Sequence, residues 1–77
     1  MLDKKALLSR ITQTPGKCGG RPCIREMRIR VNDILEMLAD NVTPDEILED
    51  FRDLEREDIQ ACLLSGAVRI DFPRIAV

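Results

Sequence analysis

Thr43-Pro44-Asp45-Glu46-Ile47-Leu48-Glu49-Asp50-Phe51 carries the clearest helix start in this chain. Thr43 suits the N-cap, and Pro44 suits the first helical position, where no backbone N–H is needed. Glu46 stands third, from where its carboxylate reaches back to the cap and completes a capping box. Ile47, Leu48 and Phe51 then form one apolar stripe. Asn41-Val42 breaks the chain just upstream. Before that break Val31, Ile34, Leu35 and Leu38 share a helical face, with Asp33, Glu36 and Asp40 mostly opposite. Downstream, Arg52-Asp53-Leu54 leads to a third helix at about 55–65, expected to bury Ile59, Cys62 and Leu63 and to stop at Ser65-Gly66. The expectation is a mainly α fold with a trihelical helix-turn-helix core over about 31–66, homeodomain-like or winged-helix-like.

The flanks are read with less regular chemistry. Leu2 to Arg10 is a short N-terminal helix with Leu7, Leu8 and Ile11 on a weak apolar face. Small strands are expected near 11–14, 27–31 and 68–72. The second follows from Met27, Ile29 and Val31 alternating with Arg28 and Arg30, and the third from Val68, Ile70 and Phe72. Between the first two lies Gly16-Lys17-Cys18-Gly19-Gly20-Arg21-Pro22, whose glycines and proline rule out a regular element. Residues 1–77 read as one domain, with 67–77 as a tail that pairs with a partner or a second copy.

Composition narrows the function classes. The chain has 77 residues, 44% of them hydrophobic and 34% charged, enough for one small core without a roomy cleft. It contains no His, Tyr or Trp, so the commonest general base is missing, and no carboxylate pair stands out by its spacing. Asp45, Glu49, Glu55 and Asp58 read as a solvated helical surface. No enzymatic activity, no catalytic residue and no cofactor are expected. Cys18 and Cys23 are spaced C-x4-C with Cys62 far away, a poor set for structural zinc, so no metal site is expected either. Cys62 reads as a small core hydrophobe. The odd cysteine count favours reduced thiols and a cytoplasmic setting, with a Cys18–Cys23 disulfide across the loop as the alternative. No apolar run approaches the ~20 residues needed to cross a bilayer, and the N-terminal apolar stretch is too short for a signal peptide.

Charge is divided along the chain. Residues 1–30 hold eight Lys/Arg against Asp3 and Glu26, a balance of +6, whereas residues 31–77 hold four Arg against twelve acids, a balance of −8. Such asymmetry fits a partner-binding face, or a basic layer that neutralises acidic helices within the molecule. The glycine loop either cradles an anion or simply lets two backbone segments approach closely. In the third helix the first turn, Glu55-Arg56-Glu57-Asp58, is too acidic for a major-groove reader. The candidate nucleic-acid contacts are therefore Lys17, Arg21, Arg25, Arg28 and Arg30, in the loop and strand. The candidate partner contacts are Val68, Ile70, Phe72, Ile75 and Val77 in the apolar tail.

Two stretches carry a family resemblance. Pro15-Gly16-Lys17-Cys18-Gly19-Gly20-Arg21-Pro22-Cys23-Ile24-Arg25, followed by Arg28-Ile29 and Asp33-Ile34-Leu35, is one; Thr43 through Leu48 with Phe51, Leu54 and Glu57-Asp58-Ile59 is the other. Together they resemble the family named domain of unknown function 433 over about residues 10–67. That resemblance implies a helix-turn-helix module similar to VapB-type antitoxins, a PIN-like ribonuclease toxin as partner, and repression of its own operon through DNA. Glu26 stands where the family pattern has Gly, which argues against a left-handed backbone there. The expected function is an antitoxin-like binding protein, with a stand-alone DNA-binding regulator or a homo-oligomeric assembly module as alternatives. A homodimer is expected in each case.

Overall fold

The structure is a computed structural model that describes residues 3–70. It is mainly helical with one small sheet. The elements are α1 (Lys4–Leu8), β1 (Ile11–Thr12), β2 (Cys23–Ile24), α2 (Val31–Ala39), α3 (Pro44–Asp50) and α4 (Arg56–Ile70).

The helix starts form as their sequences dictate. Asp3 caps α1, its Oδ1 accepting the Lys5 N–H at 3.0 Å. Thr43 Oγ1 accepts the Glu46 N–H at 3.2 Å, and Glu46 Oε1 accepts the Thr43 N–H at 2.9 Å, so the capping box of α3 is complete. The Thr43 N–H, with the Thr43 hydroxyl donating to the same Oε1 at 3.0 Å, holds the Glu46 carboxyl below the usual carboxylate range. Asn41, with φ 69, turns the chain between α2 and α3. The helices bury Val31 and Ile34 from α2, Ile47 from α3, and Ile59, Ala61 and Cys62 from α4.

Four elements depart from their expected form. Residues 27–31 form no strand, because Arg25, Glu26 and Arg28 all have positive φ (45, 61 and 65) and curl the segment into a tight turn. The turn closes with the Met27 N–H donating to the Ile24 carbonyl at 2.8 Å and the Ile24 N–H donating to the Ile29 carbonyl at 3.0 Å. Only Cys23 and Arg30 make a ladder-like pairing. The apolar alternation there reflects a turn that packs Met27 and Ile29 onto the core. Glu26 is left-handed despite not being Gly; its N–H donates to Thr12 Oγ1 at 3.1 Å, and Lys17 holds its carboxylate at 3.1 Å.

The third helix is also longer than expected. Gly66 does not end α4; it packs against α2, and a Cβ added there would meet Leu35 Cδ1 at 3.4 Å, an ordinary contact. The helix continues to Ile70, which places Val68 and Ile70 on helical turns and not on a strand. Leu63, expected in the core, is exposed, and Ala61, two residues back and on the opposite side of the helix, is buried. The first expected strand shortens to Ile11–Thr12, and the remainder of the third, with the rest of the tail, lies outside the described residues.

The sheet is antiparallel and minimal, pairing Ile11 with Ile24 and Thr12 with Cys23. Its weight comes from burial. Cys23 and Ile24 are both buried, and Ile24 belongs to the same apolar cluster as Val31, Ile34, Ile47, Leu54, Ile59 and Cys62. Ile24→Ala should therefore lower stability by about 3 kcal/mol, as much as Ile34→Ala, while Ile29→Ala, at a half-buried site, should cost less. Urea unfolding of the three variants tests the ranking.

Candidate functional site

The most constrained polar site is built around Asp58, whose residue exposure is 0%. It is the third residue of α4, and Oδ2 accepts the Glu55 backbone N–H at 2.8 Å. That half of a capping box fixes the start of the helix. Arg25 then approaches from the turn after β2 with two parallel bonds, Nε to Oδ1 at 3.0 Å and Nη2 to Oδ2 at 2.7 Å. Arg10, from the segment before β1, donates Nη1 to Oδ1 at 3.0 Å and to Glu55 Oε1 at 2.8 Å. The two arginine backbones are themselves joined, the Arg25 N–H donating to the Arg10 carbonyl at 2.8 Å. Arg25 Nη2 also donates to the Asp53 carbonyl at 3.0 Å.

The electrostatics follow from this geometry. Burial pushes the Asp58 carboxyl up, but Arg25, the Glu55 N–H and Arg10 together outweigh it and hold the group below the usual carboxylate range. Both arginines are held more firmly protonated in return, Arg10 through Glu55 and Asp58 and Arg25 through Asp58. Among the described residues no buried side-chain nitrogen or oxygen lacks a hydrogen-bond partner. Every lone pair that would make Asp58 a general base is directed at a donor, so the cluster acts as a clamp between the N-terminal layer and α4.

The five cations expected at nucleic acid divide into two groups. Lys17 is paired with Glu26 at 3.1 Å, and Arg25 is held by Asp58. Arg21, Arg28 and Arg30 come together around one recess with Cys18 and Gly19. Arg30 bonds Asp33 at 3.2 Å through both its Nε and Nη2, whereas Arg21 and Arg28 make no ion pair among the described residues. An adjoining recess shares Arg21 and Arg30 and adds Arg69 from α4, a residue the sequence reading did not select. Of the expected partner contacts, Val68 and Ile70 are exposed at 48% and 75%, beside Leu63 at 51%. Phe72, Ile75 and Val77 lie outside the described residues.

Sequence reading placed Asp58 on a solvated face and missed Arg10 altogether. The available signal was the spacing of Glu55 and Asp58, which puts an acid at the third position of a helix whose cap it can reach. The cysteines also depart from the reduced state: the turn at Cys18–Gly20 brings Cys18 and Cys23 together in a disulfide, with Cα atoms 6.8 Å apart. Cys62 is the free thiol, and burial, reinforced by the nearby Asp58 charge, pushes it up to about 12. No group of three or more His, Cys, Asp or Glu that could hold a metal ion forms among the described residues. No helix there is long and apolar enough to cross a membrane.

Two predictions follow from these groups. A carboxyl whose pKa is depressed on folding stabilises above its unfolded value and loses that contribution as pH falls through the folded one. Stability should therefore hold from neutral pH down to about 5 and fall steeply below about 4. Asp58→Asn should lose about 3 kcal/mol at neutral pH and show a shallower acid limb in pH-resolved urea melts. Protein prepared without reductant should show no thiol reactive to alkylation when folded, Cys62 alone when unfolded, and all three cysteines after reduction and unfolding; mass spectrometry counts the adducts.

Comparison with curated proteins gives no match, and neither does comparison with solved structures. The family described as Protein of unknown function (DUF433) matches residues 11–64. That span takes in β1, the glycine loop, β2, α2, α3 and most of α4, including the Arg25–Asp58 clamp. The chain belongs to the DUF433 family.

Proposed function

We propose that this chain is a non-catalytic, antitoxin-like binding protein that acts in the cytoplasm and neutralises a PIN-like ribonuclease. In this reading α2, α3 and α4 form a trihelical helix-turn-helix unit, with residues 51–55 as the turn between the last two helices. The unit serves as a protein-binding scaffold, since the first turn of α4 carries acids that a DNA groove repels.

The observation that carries the proposal is the apolar end of α4. Leu63, Val68 and Ile70 expose 51%, 48% and 75% of their surface within two turns. Leu63 and Ile70, seven residues apart, share one helical face, with Val68 on the other side of α4, and large aliphatic side chains left in water over so short a stretch suit a protein contact. The chemistry of the partner follows from the acids. Glu49, Asp50 and Asp53, on α3 and the link to α4, are exposed and make no ion pair among the described residues. A ribonuclease groove shaped to hold phosphate attracts such carboxylates. The buried Asp58, with every bond directed at a donor, supports the non-catalytic part of the reading.

The test is co-expression with a PIN-like ribonuclease encoded beside it. The wild-type chain should co-purify and suppress RNA cleavage, and deletion of residues 68–77 or Ile70→Asp should abolish both. Unchanged co-purification by the two variants overturns the proposal. Homodimerisation through the same end of α4 is the companion expectation; light scattering of the chain alone and of the co-expressed pair separates the two occupants.

A further inference from the structure

The two ends of the Cys18–Cys23 disulfide have different surroundings. Cys23 is 1% exposed, pairs with Thr12 in the sheet, and holds its Sγ 3.4 Å from the Arg21 carbonyl oxygen. Cys18 is half-buried and lines a recess with Gly19, Arg21, Arg28 and Arg30. A thiol arriving from solution therefore meets the sulfur of Cys18 and not that of Cys23. The turn that carries Cys18 also has backbone bonds of its own: the Gly20 N–H donates to the Lys17 carbonyl at 2.8 Å, and the Arg21 N–H donates to the Cys18 carbonyl at 3.1 Å. Burial and the sheet pairing hold Cys23, so the sulfur–sulfur bond can open while the fold persists.

Charge decides which thiols this recess suits. No carboxylate lines it. Arg30 is paired with Asp33 at 3.2 Å and Lys17 with Glu26 at 3.1 Å, whereas Arg21 and Arg28 make no ion pair among the described residues. Guanidiniums beside a sulfur favour its thiolate, which makes Cys18 a good leaving group in exchange. The same charges draw in a thiol that carries carboxylates. We propose that Cys18 is a thiol–disulfide exchange site for low-molecular-weight thiols bearing carboxylates, whose acid groups lie among Arg21, Arg28 and Arg30.

The exchange balances without any further reactant. The external thiolate attacks Cys18 Sγ and forms a mixed disulfide, and the electron pair of the broken bond leaves on Cys23 Sγ. That sulfur takes a proton from water, and its new S–H can donate to the Arg21 carbonyl oxygen beside it. A second external thiolate then attacks the sulfur of the bound thiol, releasing the external disulfide and leaving the Cys18 thiolate among the arginines. The protein disulfide is reduced by two electrons as two external thiols are oxidised to one disulfide; the reverse sequence reforms it. The inference is independent of the ribonuclease partner, since neither the recess nor its test involves the apolar end of α4.

The test sets the full oxidised chain, at low salt, against three thiols of similar size: anionic mercaptopropionate, neutral mercaptoethanol and cationic cysteamine. Alkylation and mass spectrometry follow the loss of the disulfide. Each rate is divided by that thiol's rate with hydroxyethyl disulfide, which removes differences in intrinsic reactivity. Mercaptopropionate should be favoured over mercaptoethanol by about tenfold, with cysteamine slowest, and the preference should shrink as salt is added. Arg21→Ala and Arg28→Asn should each lower that preference by about threefold; Asn is chosen at 28 because it tolerates the left-handed backbone there. Arg52→Ala, which removes an exposed cation outside the recess, should leave it unchanged. In Cys23→Ala, the disulfide of mercaptopropionate should leave an adduct on Cys18 of the folded protein, located by peptide mapping. Equal corrected rates for the three thiols overturn the proposal. So does an adduct of the wild-type chain on Cys23, or a disulfide that opens only in denaturant.

Discussion

A carboxylate out of contact with water, held by two arginines from distant parts of the chain, is the constraint around which the rest of this molecule is arranged. Arg25, the Glu55 N–H and Arg10 together outweigh the burial of Asp58 and hold it ionised. Those groups come from before β1, after β2 and the start of α4, so one cluster sets how the N-terminal layer meets the helices. It also explains why so small a sheet persists. Two residue pairs would be marginal alone; clamped to α4 and closed over Ile24, they become part of the core.

The clamp sorts the surface as well. Two of the basic half's arginines are directed at Asp58, Lys17 is directed at Glu26 and Arg30 at Asp33, while Arg21 and Arg28 line a recess beside the glycine loop. Arg10 and Arg25 thus neutralise an acid within the molecule, while Arg21 and Arg28 make no ion pair among the described residues. The exposed acids of α3 lie elsewhere on the helical unit, whereas the apolar end of α4 carries Arg69 between Val68 and Ile70.

Much of the helical half was legible in the sequence because its signals are local. The capping box at Thr43, the turn at Asn41 and the stripe through Val31 and Ile34 each depend on neighbours within a turn or two. What could not be read depends on tertiary partners. Asp58 looks like any other surface acid until Arg25, 33 residues away in sequence, is brought beside it. Gly66 resembles a helix stop unless Leu35 is known to lean on it. The alternation over 27–31 mimics a strand, because a tight turn with left-handed residues can present Met27 and Ile29 to the same core. Arg69 went unselected since its neighbours in the recess are close only after α4 extends past Gly66.

The central claim, that the Arg25–Asp58 contact joins the N-terminal layer to the helices, is tested most directly by a double-mutant cycle in urea. Arg25→Met and Asp58→Asn should each destabilise the chain. The double variant should lose clearly less than the sum of the two, because each single change already removes the same interaction and only the Arg25 bond to the Asp53 carbonyl remains to be lost separately. Strictly additive losses, with the double variant weaker by the sum of the two, would show that the residues act separately and contradict the account.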